Sequence, residues 1–391
     1  MAQLDVVGAL RAARTTDPGA IPEILAQASA AIGASDLVVY LVDFGRTVLE
    51  PLPDRAAHAE LPTTENVSAT MAGRAFLDQS VLTAERPGGS RVWAPILEGS
   101  DCTGVVALTL ARARPSHLRA CADLGLLAGY LIAAHARCTD LYNLHRRRRS
   151  MALPASMQWD LLPPLVVDTG VVAAAGHVEP AYEVGGDAFD YAANGPVFDF
   201  AVMDAMGHGL TSAQVASLAI GAYRHGRREA RSLIALHESL AATITAQHPG
   251  TSFVAGTLGR IDTATGILTR TNAGFPLPLL VRHGRVVGEL ACTPTPPWGL
   301  LEGTPTLATD ALEPGDCVMV YSDGVTDART PDGELFGLDR LIDVTQSNAS
   351  DLLAPTEMIR LVIRCVLEHR DAELADDATV VLLRWAGPTA E

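Results

Sequence analysis

The stretch EVGGDAFD, residues 183 to 190, sets Glu183, Asp187 and Asp190 around a Gly-Gly step. Three further stretches place acids at the border of an apolar run: VFDFAVMDAMGHG (197 to 209) carries Asp204, CVMVYSDGVTDAR (317 to 329) carries Asp323, and ADDATVVLLRW (375 to 385) opens on Asp376 and Asp377. Asp-Gly on its own is an ordinary turn signal. Four loops of this kind, each with its acid at the border of a strand, instead describe an anionic cup at a sheet edge. Carboxylates that converge cannot all stay ionised without a counter-charge. The donors are hard oxygens with no Cys or His partner at ligand spacing, so Mg²⁺ or Mn²⁺ is favoured over Zn²⁺. Two such ions roughly 3.5 to 4 Å apart would acidify a shared water and aim it at phosphorus, which is the chemistry of phosphate-ester hydrolysis.

The elements that must position these acids read as an α+β chain. Residues 21 to 32 form an amphipathic helix and are followed by strands at 36 to 44 and 47 to 52. A helix near 67 to 79 precedes SRVWAPILEG and DCTGVVALTLAR, two apolar runs joined by Gly-Ser as in a hairpin. From Pro115 a helix carries Leu124, Leu127, Leu131, Ala134, Cys138 and Leu141 at alternating spacings of three and four, a seam of about three heptads. It ends in HRRRRS (145 to 150), which reads as a solvated basic collar, and runs into a Pro-rich joint at 151 to 165. Beyond the joint, strands at 170 to 176, 197 to 204, 251 to 262, 266 to 274, 316 to 323 and 378 to 385 alternate with helices at 209 to 229, 230 to 247, 337 to 346 and 355 to 370. Sheets covered by helices on the outside follow from that order.

Composition sets the outer bounds. At 391 residues the chain is long enough for two or three domains, and 48% hydrophobic against 19% charged residues describes a globular protein. The net charge of -16, from 45 acidic and 29 basic residues, argues against nucleic acid and anionic membrane as partners. Every basic residue is Arg, which points to the base composition of the coding sequence rather than to chemistry. Six scattered Cys form neither a disulfide framework nor a zinc motif. No signal peptide is read at the N-terminus, and the apolar run 124 to 136 is shorter than the roughly 20 residues of a membrane span. The expected location is the cytoplasm.

The order GGDAFD, DAMGHG, NAGFPLPLL (272 to 280), YSDGVTDAR and DDATVVLLR resembles the metal-dependent Ser/Thr protein phosphatases of the SpoIIE/RsbU type, bacterial members of the PPM superfamily. The resemblance implies an α-β-β-α sandwich over residues 155 to 391. It also implies Asp187, Asp204, Asp323 and Asp376 as catalytic metal ligands, joined by the carbonyl of Ala205 and by Asp377, with Asp204 bridging two Mn²⁺ or Mg²⁺ ions. The implied substrate is a phosphorylated anti-anti-sigma protein of the STAS fold, whose dephosphorylation controls a sigma factor. Glu183 is expected behind the ligands rather than among them. His208 reads either as a proton donor to the leaving group or as an exposed side chain. The chain departs from the family in Ala188 and Phe189 after GGD, which read as packing, and in Phe275, where His is common. Residues 1 to 115 look like a GAF domain, a sensor of a small-molecule or protein signal, and 116 to 154 like a helical connector. Two connectors pairing in parallel would make a homodimer; the other reading of the seam is a cover for the sensor's own sheet. Rival functions are a silent pseudophosphatase acting as scaffold, and a phosphatase for small phosphate esters.

Overall fold

The computed structural model describes residues 4–53, 62–179, 182, 185–348, 355–369 and 377–388. It divides into two compact units, Met1–Ser150 and Met151–Glu391.

In the first unit the helices are α1 (Val6–Ala13), α2 (Ile21–Ala30), α3 (Met71–Leu77), α4 (Pro115–Ala136) and α5 (Leu141–His145). The strands are β1 (Ala34–Val42), β2 (Val48–Pro51), β3 (Glu65–Asn66), β4 (Leu82–Arg86), β5 (Gly89–Glu98) and β6 (Asp101–Leu110). They form one antiparallel sheet in the order β3-β2-β1-β6-β5-β4. Side chains alternate between its faces. Val39 and Leu41 pack with Leu25, Val106, Leu124 and Leu131 under α2 and α4, while Tyr40 and Val42 pack with Phe76 of α3 and with Trp93 and Val105.

This placement corrects the reading of residues 116 to 154 as a connector. Leu124, Leu127 and Leu131 are 0%, 5% and 4% exposed, buried in the core of the first unit. Two glycines let α4 lie directly on β5. A Cβ at Gly125 would stand 2.1 Å from the carbonyl oxygen of Pro95, and one at Gly129 would stand 2.0 Å from that of Leu97. The seam is therefore the back cover of the sheet, and a homodimer through it would require opening this core. With 22 residues and a mean hydropathy of 1.2 the helix is long and apolar enough to cross a membrane, longer than the apolar run suggested. The basic collar is also not simply solvated. Arg146 donates from Nε to the carbonyl of Val42 at 2.9 Å and lies 4.6 Å over the ring of Phe44, while Arg148 pairs with Glu50 at 3.5 Å.

The second unit opens with α6 (Leu153–Leu161), where the sequence suggested only a joint; its Pro154 sits in the first turn, where a missing N–H costs nothing. Then follow β7 (Val166–Asp168), β8 (Val172–Glu179), β9 (Asp187–Asn194), β10 (Val197–Ala205), α7 (Leu210–Arg228) and α8 (Leu233–Gln247). The chain continues through β11 (Val254–Asp262), β12 (Ile267–Ala273), β13 (Leu279–Arg282), β14 (Arg285–Glu289), β15 (Ala308–Ala311) and β16 (Cys317–Tyr321). It closes with α9 (Asp323–Thr326), α10 (Gly337–Asn348), α11 (Pro355–His369) and β17 (Ala378–Trp385).

Two antiparallel sheets result, β15-β12-β11-β10-β9 and β14-β13-β16-β17-β8-β7. Phe189, Phe198, Phe200 and Val202 of the first sheet meet Val172, Val320, Val381 and Leu383 of the second in the layer between them. Outside, α7 and α8 cover the first sheet and α10 and α11 the second. This is the expected α-β-β-α sandwich. Ala188 and Phe189, 1% and 0% exposed, are packing residues, as their types suggested.

One buried histidine makes the fold sensitive to acid. His237 of α8, 2% exposed, faces Thr271 Oγ1 at 3.2 Å and Thr295 Oγ1 at 3.0 Å, with no acid against it among the described residues. Burial pushes its pKa down to about 4. The unfolded chain binds this proton below about pH 6.5 and the folded chain only near pH 4, so stability falls across that window by at most about 3 kcal/mol. Denaturant titrations at pH 7 and pH 4.5 should show that part of the loss vanishing in His237→Gln. An unchanged pH dependence in the variant would contradict the assignment.

Candidate metal centre

The alternation along β9 and β10 places the acids. Asp187 and Asp204 share the parity of Phe189 and Phe200, so both face the layer between the sheets, at its end, and they stand opposite each other in register. Asp190 has the other parity. It is 2% exposed and bound by Arg224 at 3.0 Å and Arg227 at 2.9 Å on the helix-covered face, away from the cup.

Asp187 is 1% exposed, and Ser322 donates its hydroxyl to Oδ2 at 2.7 Å. Burial, and then the charges of Asp204 and Asp377, hold its pKa well above the usual carboxylate range, against the opposing effects of the Thr379 and Ser322 hydroxyls. Ser322 also accepts from the amide of Thr379 at 2.9 Å, so a single hydroxyl links the ends of β16 and β17 to β9. The sequence reading passed over Ser322. Its place directly before Asp323, at the end of an apolar strand, was the available signal.

The structure gives Asp377 a use other than that of a simple ligand. Its Oδ2 accepts the amides of Gly185 at 2.8 Å, Gly186 at 2.8 Å and Asp187 at 3.2 Å. The second sheet thus clamps the Gly-Gly loop of the first. Gly186 is required by close approach, since a Cβ there would stand 2.3 Å from the carbonyl oxygen of Ala205 and 2.5 Å from Ser212 Oγ. Gly324 answers the same need, because a Cβ would fall 1.9 Å from the carbonyl oxygen of Asp377. That glycine lets α9 press against the β17 entry with Asp323 exposed at its first residue.

The carbonyl of Ala205, an expected ligand, accepts the hydroxyl of Ser212 at 3.0 Å. His208 is exposed in the turn before α7, between Gly207 and Gly209 with φ of 83° and 82°. Asn272 and Phe275 close their own turn, the Asn side chain bonding both the amide and the carbonyl of Phe275 at 2.8 Å. A further contact comes from α6: Gln158, 3% exposed, donates its amide to the carbonyl of Asp187.

Asp376 and Glu183 lie outside the described residues. Among the described residues no three of His, Cys, Asp or Glu stand close enough to hold an ion between them. The donor set nonetheless fits a divalent cation in kind: Asp187 and Asp204 are hard oxygen donors facing each other, and burial with the charges of Asp204 and Asp377 raises the Asp187 pKa.

Comparison with known proteins agrees with this arrangement. Residues 196–386 match the family model of Stage II sporulation protein E (SpoIIE). The chain is 31% identical over 125 residues to Protein IcfG of Synechocystis sp., covering 32% of this chain and 19% of that protein. It is 35% identical over 75 residues to Phosphoserine phosphatase RsbU of Bacillus subtilis, covering 19% of this chain and 21% of RsbU. The matches thus span about a fifth of the length of these curated relatives. The SiaA-PP2C domain of Pseudomonas aeruginosa shares the fold, with a TM-score of 0.51 at 21% identity over 59% of this chain and 94% of that one. Motif order, paired sheets and family model thus agree: residues 196–386 match the SpoIIE family model, and the C-terminal unit is similar to phosphatases of the SpoIIE/RsbU type.

Proposed function

We propose that this chain is a cytoplasmic, metal-dependent Ser/Thr phosphoprotein phosphatase of bacterial signalling, acting on a phosphorylated STAS-type anti-anti-sigma protein. The observation that carries the reading is the buried Asp187, held in register with Asp204, its pKa raised by burial and by the charges of Asp204 and Asp377. The STAS substrate and the control of a sigma factor rest on the resemblance of the motifs.

Asp187, Asp204, Asp323 and Asp376 would hold two Mn²⁺ or Mg²⁺ ions, with the Ala205 carbonyl as a further donor. When bound, such ions neutralise phosphate charge and acidify water. The protein's own part is positioning. Ser322 fixes one oxygen of Asp187. Asp377 holds the Gly-Gly loop so that the Asp187 backbone cannot drift, and Gln158 fixes its carbonyl. Asp323, exposed on α9, completes the rim where a phosphorylated side chain of a folded protein can reach.

Purified full-length chain should release phosphate from a phosphoserine or phosphothreonine protein with Mn²⁺ present and lose that activity in EDTA. Turnover untouched by chelation would overturn the metal-dependent reading. Comparing p-nitrophenyl phosphate with a phosphorylated STAS protein separates the proposed substrate from a small ester: equal or better turnover of the small ester would overturn the protein substrate.

A further inference from the structure

The first unit contains a cavity of about 510 Å³ whose walls carry charged and polar groups. That volume lies within the range of small-molecule sites. Arg91 on β5 is held by its Nη1, which donates to the carbonyl of Asp36 at 2.8 Å and to Thr109 Oγ1 at 3.1 Å. Among the described residues, the other edge of the guanidinium, Nε and Nη2, has no partner. That edge is the fork whose geometry matches a carboxylate bidentately. The hydroxyl of Tyr40 and the carboxylate of Glu65 line the same cavity, also unpartnered among the described residues.

Glu65 is near enough to weigh on the charges of both Tyr40 and Arg91, yet it forms no ion pair with Arg91. Opposite charges held apart across one cavity are the complement of a ligand that carries both. The overall balance agrees. Arg86, stacked over Trp93 at 5.7 Å, and Arg91 are matched by Asp36 and Glu65, so the lining favours neither a bare anion nor a bare cation. The geometry points to a binding site for a small zwitterion of the amino-acid class, its carboxylate on Arg91 and its ammonium on Glu65. This inference is independent of the phosphatase reading, since it concerns only the first unit.

Isothermal titration of the full-length chain with each proteinogenic amino acid, and with propionate and propylamine as single-charge probes, tests it. At least one amino acid should bind saturably, with either single-charge probe weaker by about tenfold or more. Glu65→Gln, a half-buried position with no bond to lose, should weaken that amino acid about tenfold or more while leaving the melting temperature unchanged. Arg91→Gln should weaken it comparably. The absence of both heat and a melting shift with every amino acid would overturn the site. So would propionate binding as tightly as the best amino acid, or Glu65→Gln binding it as well as wild type does.

Discussion

Replacing Asp204 by Asn is expected to reduce kcat on a phosphoprotein by at least about 100-fold, equivalent to roughly 2.7 kcal/mol of transition-state stabilisation. Asp204 stands opposite Asp187 in register, so its charge faces the same cup. The amide is isosteric and can stay in place, but it no longer contributes the negative charge that draws a cation in. The same substitution removes the second-largest cause of the raised Asp187 pKa, so the cation-free variant should be no less stable than wild type. Loss of turnover with stability retained is the expected pair of results. Near-normal turnover with a normal Mn²⁺ requirement would show that the charge drawing the cation in lies elsewhere.

The other large effect is on folding. Leu127→Asp should destabilise the first unit by about 4 kcal/mol or more, because a carboxylate placed among Leu25, Val106 and Leu131 must be desolvated without a partner. The measurement is calorimetry of the full chain, with light scattering in parallel. Collapse of one thermal transition at unchanged particle mass is expected. If the wild type proved dimeric and the variant a well-folded monomer, the seam would be an intersubunit contact and its placement against β5 would be wrong.

That case shows how far the sequence could be read. The three-and-four spacing from Leu124 to Leu141 establishes an apolar stripe but not what covers it, since a coiled-coil partner and a sheet impose the same periodicity on a helix. The information that decides is in Gly125 and Gly129, small residues whose purpose shows only when the backbone of β5 lies against them. The catalytic half was more legible, because each acid sits at the border of a strand with its own alternation. The strand Val197–Ala205 and the helix Leu210–Arg228 fall nearly where the pattern placed them. β9 was missed, because GGDAFD read as a loop around its Gly-Gly step. In the strand that forms, parity sends Asp187 to the cup and Asp190 to Arg224 and Arg227. The roles of Ser322 and Asp377 were hidden for another reason: both are contacts between sheets that lie more than 130 residues apart along the chain, as in the Ser322 to Asp187 bond.

The clamp from Asp377 to the Gly-Gly loop has a consequence for how this chain can be altered. Each sheet carries only part of the cup, and the part on one sheet is shaped by backbone bonds from the other. Neither sheet can therefore be grafted alone onto another scaffold with its half of the site intact. For the same reason, substitutions between the layers, at Phe189 or Phe200 for example, that shift one sheet against the other by a fraction of an ångström should be felt first as weakened cation affinity. The site acts as a gauge of the spacing between the sheets.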